Sequence, residues 1–209
     1  MIPFRQAKTA WEHGLLVQGL ITRLDKLGVR LHPYYLIEEC VGKDEPGICA
    51  APDQAYTFGE IGAGDMEQIA RLADRKWCPL ETLLERLEQG CLCLGLKRGE
   101  DIAAFNWVNF EACDHVDNII PMQESQAYLF DMYTLTPFRG MGLAPRLRCD
   151  TYRYLKQLGY AEFLSVSEYF NRPAIRFKLK LNARIVQLHL ALSLFGKAQK
   201  FFVLRNYPS

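Results

Sequence analysis

The stretch TLTPFRGMGLAPRLR, Thr134 to Arg148, sets two glycines, two prolines and three arginines between apolar flanks. A strand that runs through a glycine turn straight into a helix leaves several backbone N–H groups unpaired. Those donors lie at the positive end of the helix dipole, a setting that suits a phosphate. Gly140 and Gly142 remove the side chains that would keep a pyrophosphate off the backbone. Pro145 fits a first-turn position, where its missing N–H costs little, and Arg139 adds a permanent cation at the mouth. The glycines alone are equally consistent with a plain strand-to-helix bend. No Gly-Lys-Ser/Thr follows, so this is not a P-loop. Pro145 also breaks the G-x-G-x-x-G fingerprint, and GEIGAGD, from Gly59 to Asp65, fails the same spacing.

The metal-binding residue types show no such order. The seven cysteines are odd in number and irregularly spaced, which predicts reduced thiols and a cytoplasmic protein. Cys91 and Cys93 alternate with leucine in GCLCLGLK and read as a strand with two small residues on one face. His13, His32, His115 and His189 are scattered, and no C-x-x-C or H-x-x-x-H accompanies them, so spacing predicts no metal site.

The elements that must hold the turn follow from periodicity. Trp11, Leu15, Leu16, Leu20, Ile21, Leu24 and Leu27 recur at helical spacing, with Gly28 as the C-cap, and VRLHPYYLIEECV is extended. GKDEPGICAAPDQ reads as a linker, which divides residues 1–52 from a main domain over 53–209. Beyond it the pattern predicts a strand in AYTFGEI and a helix in GAGDMEQIARLADR, with a capping box from Asp65 to Gln68. A second helix, PLETLLERLEQG, and a hairpin, CLCLGLKRGEDIAAFNWVNF, follow. A polar loop then carries Glu111, Asp114, Asp117 and Glu124. The strand AYLFDMYTLT, the helix APRLRCDTYRYLKQLG, the strand AEFLSVS, the helix RPAIRFKLKL and a hairpin around Gly196-Lys197 complete the chain. The 209 residues are about half hydrophobic, enough for a sizeable core, and a formal charge of +1 gives no electrostatic case for nucleic acid. No apolar run reaches the ~20 residues that span a bilayer, and the start lacks the apolar centre of a signal peptide.

RGMGLA, Arg139 to Ala144, resembles the phosphate motif Arg/Gln-x-x-Gly-x-Gly/Ala of the GNAT superfamily of acyl-CoA-dependent N-acetyltransferases. Asn171 and Ala174 match that family's later Asn-x-x-Ala, and the element order agrees from Tyr56 onward. The resemblance implies an α/β fold: a mixed, mostly antiparallel central sheet flanked by helices, here with an N-terminal helical extension. It implies acetyl-CoA as acyl donor and no metal. The pantetheine arm would run beside Met132, Tyr133, Thr134 and Leu135, and the pyrophosphate would meet Arg139, Gly140, Met141, Gly142, Leu143 and Ala144. The implied reaction is direct attack by a neutral amine on the thioester, with an oriented backbone donor for the oxyanion. Asp131 and Glu124 are the candidate bases. Lys178 stands where the family often has a tyrosine acid; it is a candidate acid, or else a solvated lysine on a basic helix face with Arg176 and Lys180. Tyr169 is a second candidate acid. The expected acceptor is a primary amine on a small molecule, with a homodimer possible. The alternatives are an acyl-CoA sensor without turnover, a protein or peptide amine acetyltransferase, or a longer acyl donor.

Overall fold

A computed structural model gives the fold and describes residues 15–42, 49, 54–71, 78–196 and 198–208. Helix α1 (Leu15–Lys26) leads into strand β1 (Val29–Glu39), and β2 (Thr57–Glu60), α2 (Met66–Ala70) and α3 (Leu80–Glu88) follow. Then come β3 (Leu92–Arg98), β4 (Asp101–Asn109), β5 (Ala112–His115), β6 (Asn118–Pro121) and β7 (Gln126–Thr134). The chain closes with α4 (Leu143–Gln157), β8 (Glu162–Glu168), α5 (Arg172–Leu179), β9 (Arg184–Leu194) and β10 (Ala198–Asn206).

Eight strands form one mixed sheet in the order β10-β9-β1-β8-β7-β4-β3-β2, and helices flank it. Every junction is antiparallel except β7–β8. Strand β1, from the N-terminal segment, lies inside this sheet between β8 and β9. The core lies on both sides of β4, whose interior is buried from Ile102 to Val108. Helix α4 covers one face because Leu143, Leu147, Thr151 and Leu155 recur every four residues and are all buried. It ends before Gly159, which takes the positive φ of 95° that a helix terminus needs there.

Several expectations change in detail. The polar loop after β4 contains an antiparallel ribbon, β5–β6. Its turn, Val116-Asp117, has positive φ at both residues without the Asn-Gly or Asp-Gly pair that usually advertises such a turn. The capping box does not form. Asp65 ion-pairs with Lys97 at 2.8 Å, and Gln68 Oε1 accepts from Ile102 N at 2.6 Å. Those two side chains pin the region of α2 to the β3–β4 hairpin instead. The thiol expectation is also corrected: Cys49 and Cys149 are joined by a disulfide, while Cys40, Cys78, Cys91, Cys93 and Cys113 are free and buried. A sequence separation of 100 residues gave this pair no spacing signature. The start of the first helix, at Trp11, and most of the linker lie outside the described residues.

Candidate active site

The site begins where β7 and β8 part. Their parallel pairing covers only Gln126–Tyr128 against Glu162–Leu164. Beyond Tyr128 the edge of β7 that faces β8 has no strand partner among the described residues, while its other edge stays on β4 as far as Thr134. Within that stretch, Asp131 and Met132 together face the single residue Asn106 on β4. This is a β-bulge, and Asp131 takes a positive φ of 48° in it. Beside it lies a cleft of about 360 Å³ lined by residues of β7, β8, α4 and α5.

The glycine turn continues this cleft. A short 3-10 turn over Thr136–Phe138 brings the chain round, and Gly140 and Gly142 follow with φ of 79° and 71°. Gly142 is the N-cap of α4. A Cβ at either glycine would point into open space, with no atom within 4 Å. So the positive φ, rather than crowding by the protein, requires glycine. The first N–H groups of α4 face a second cleft of about 440 Å³, lined by Met132 to Thr134 and by the turn from Phe138 to Pro145 except Met141. The two clefts share Met132 and Ala144. Arg139 is fixed at the mouth: Nε donates to the carbonyl of Thr134 at 3.1 Å, Nη2 donates to Tyr133 Oη at 2.8 Å, and the guanidinium lies over the Tyr133 ring. Leu135 is buried beneath the turn, and Met141 is exposed, its sulfur accepting from Tyr56 Oη. Asn171 is the N-cap of α5, its Oδ1 accepting from Ala174 N at 3.2 Å. Both residues of that motif line the first cleft.

The acid–base candidates are not gathered in one place. Asp131 lines the cleft and accepts from Arg86 Nη1 at 2.8 Å, with Arg86 itself lying over the rings of Trp107 and Phe130. Lys178 also lines the cleft. It is buried rather than on a solvated basic face. Its Nζ donates to Ser165 Oγ and to the carbonyl of Val166, each at 2.8 Å, and stands 3.7 Å from Glu39. Burial, with the Arg148 charge acting the same way against the pull of Glu39, brings the Lys178 ammonium down to about 8. For Glu39 burial pushes the other way, but Arg148, Lys178 and hydrogen bonds from Ser165 and Tyr152 outweigh it and hold the carboxyl below its usual range. Tyr169 packs on Tyr35 and Phe170, Glu124 is in an exposed turn after β6, and neither lines the cleft.

His115, Arg148 and Glu168 line the cleft as well. They were not singled out from the sequence, because they come from the β5–β6 ribbon, the middle of α4 and the end of β8. Only the fold joins them.

The arrangement can hold an extended ligand: an anionic end on the glycine turn, an arm along β7 beyond its pairing with β8, and a reacting end between the strands. Residues 59–182 match the model of the Acetyltransferase (GNAT) family, more than half of the chain. No curated protein matches the sequence. Among solved structures, the chain is similar to a GNAT-family protein from Novosphingobium aromaticivorans at 19% identity and a TM-score of 0.56, covering 80% of this chain and 66% of that one. A GCN5-related N-acetyltransferase from Sphaerobacter thermophilus gives 13% identity and 0.57, covering 88% and 56%. A glucosamine N-acetyltransferase region of a fungal multi-domain GH3 β-N-acetylglucosaminidase gives 14% and 0.55, covering 88% and 23%. This chain thus spans less than two thirds of each of those chains, and at such identities the likeness is one of fold. With the family model, the strand parting and the glycine turn in agreement, the chain belongs to the GNAT family of acetyltransferases, whose chemistry is acyl transfer.

Proposed function

We propose that the protein is an N-acetyltransferase that moves the acetyl group of acetyl-CoA to a primary amine on a small molecule. The observation that carries this reading is the stretch of β7 beyond Tyr128, which among the described residues pairs with no strand on its β8 side and leads through a short 3-10 turn into a left-handed glycine turn. In this reading the amides of Gly140, Met141, Gly142, Leu143 and Ala144 take the pyrophosphate, with Arg139 holding the turn in shape. The backbone from Met132 to Thr134 pairs with the pantetheine arm, whereas Leu135, whose N–H donates to Ala103 and whose carbonyl accepts from Phe138, is withdrawn from that role. Asn171 and Ala174 wall the arm on its other side through the capped start of α5.

The acetyl thioester then lies where β7 and β8 part, and an exposed amide of β7 donates to the oxyanion as the amine attacks. The attacking nitrogen loses a proton and the CoA thiolate gains one. Lys178 is suited to the second transfer, since an ammonium with a pKa of about 8 is close to the ordinary thiol value of about 8.5. Asp131, in the bulge, lines the same cleft and is the candidate base. Glu124 and Tyr169 would take part only through water, from outside the cleft.

Calorimetric titration with acetyl-CoA tests the donor, with saturable one-to-one binding expected. An absence of binding by both acetyl-CoA and free CoA overturns the proposal. A panel of polyamines, amino sugars and lysine peptides, followed by CoA release, tests the acceptor. Amino sugars belong in it because one structural neighbour is a glucosamine N-acetyltransferase region. Faster turnover of peptides than of small amines favours a protein-modifying role. Tight donor binding with no release on any amine favours sensing, the reading that Lys178 in the tyrosine's place would suit.

A further inference from the structure

On the sheet face that carries Leu36 and Val166, three side chains that the acyl-transfer reading leaves unused come together. His32 stands at an alternate position with Tyr34 and Leu36 on β1, and Glu168 with Val166 on β8. His115 ends β5. Glu168 Oε2 lies 2.6 Å from His32 Nε2, and Glu168 Oε1 lies 3.1 Å from His115 Nε2. One donor atom from each residue falls within 4.8 Å of the others.

Both Nε2 atoms are buried, and each faces one Glu168 oxygen as an ion-pair contact, outside strict hydrogen-bond geometry among the described residues. Each oxygen of one carboxylate is turned towards a different imidazole, so that one donor atom from each residue can face a single cation. The ring of His115 is braced: Tyr34 packs edge-on against it at 4.7 Å, and Asn118 Nδ2 donates to Tyr34 Oη at 2.7 Å.

We propose that His32, His115 and Glu168 form a binding site for a divalent transition-metal ion of the zinc class. Two imidazoles and one carboxylate suit such an ion, whereas magnesium and calcium prefer oxygen donors throughout. Three protein ligands leave a coordination position open. Glu168 and His115 also line the cleft, so that position faces the parting of β7 and β8. There the ion gives an acceptor with an oxygen or nitrogen donor group a fixed point of attachment beside the thioester. The site stands on its three side chains and does not depend on the identity of the acyl donor.

The test uses the full chain, stripped with a chelator and dialysed, then titrated with Zn²⁺ by calorimetry and with Co²⁺ by visible absorption. The expected result is one equivalent bound, with the intense Co²⁺ bands of a four- or five-coordinate nitrogen–oxygen site rather than the weak spectrum of the hydrated ion. His115→Ala and Glu168→Gln should each weaken Zn²⁺ by more than the about 10–100-fold that losing an outer contact costs. Acetyl-CoA binding, measured on the same samples, shows that the variants are folded and reports on the donor site separately. No saturable binding, binding that both substitutions leave unchanged, or a Co²⁺ spectrum of the hydrated ion overturns the proposal. In that case the three side chains form only a carboxylate–imidazole contact.

Discussion

Replacing Gly142 with alanine separates a turn that merely bends the chain from one that holds an anion. The residue has a φ of 71°, and its missing Cβ points into open space. An L-residue held in that conformation costs about 1–2 kcal/mol, and no clash within the protein adds to it. In a chain of this size that lowers Tm by about 2–8 °C. Gly99, in the β3–β4 turn, is a matched control: φ is 60°, its Cβ would also meet nothing within 4 Å, and it lines neither cleft. Gly99→Ala should therefore lose a similar amount of stability. The two variants should part on acetyl-CoA. A methyl group standing in front of the turn displaces the pyrophosphate from at least one amide, and a hydrogen bond to a charged group is worth about 1.5–3 kcal/mol. Gly142→Ala should raise Kd by about 10- to 150-fold, while Gly99→Ala leaves it unchanged. Calorimetry beside differential scanning reads both quantities. Equal loss of Tm with an unaltered Kd in both variants would refute the cradle.

Lys178 predicts a pH dependence of stability. With its folded pKa lowered to about 8 from 10.5, both states hold the proton below pH 8. Between the two values the unfolded chain binds more protons, so this residue makes stability rise with pH. Urea unfolding at about pH 7.5 and pH 9.5 should show a rise in the unmodified protein that Lys178→Met lacks; equal slopes would refute the assignment. Asp131→Asn, which keeps an acceptor for Arg86, should shift the acid limb of the pH–rate profile or lower its plateau, and an unaltered profile removes Asp131 from the mechanism. Cys149→Ser opens a loop with a sequence separation of 100 residues and should cost up to about 5 kcal/mol, seen as a fall in urea midpoint that a reductant reproduces on the unmodified protein.

Local signals made the fold legible. RGMGLA names the turn because its requirement, backbone donors with no side chains in front, is met by adjacent residues. Asn171 and Ala174 were equally readable, since an N-cap and its amide partner sit three residues apart. Helix α4 announced itself through one apolar stripe. Contacts made across the chain were not legible. Lys178 looked solvated beside Arg176 and Lys180, yet helical geometry turns it inward, onto Ser165 and Glu39. His32, His115 and Glu168 carry no motif because three separate strands supply them. Asp65 and Gln68 had the spacing of a capping box, but Lys97 and the amide of Ile102 offered stronger partners.

The position of β1 also bears on the order of synthesis. It is made well before its hydrogen-bonding partners β8 and β9: it ends at Glu39, whereas they begin at Glu162 and Arg184. Until those strands emerge, a long segment with apolar side chains waits with both edges unsatisfied. Pairings that distant in sequence are slow to form. The nascent chain therefore carries an exposed strand until β8 and β9 are made, an interval in which a holding chaperone would find its substrate at Val29–Glu39.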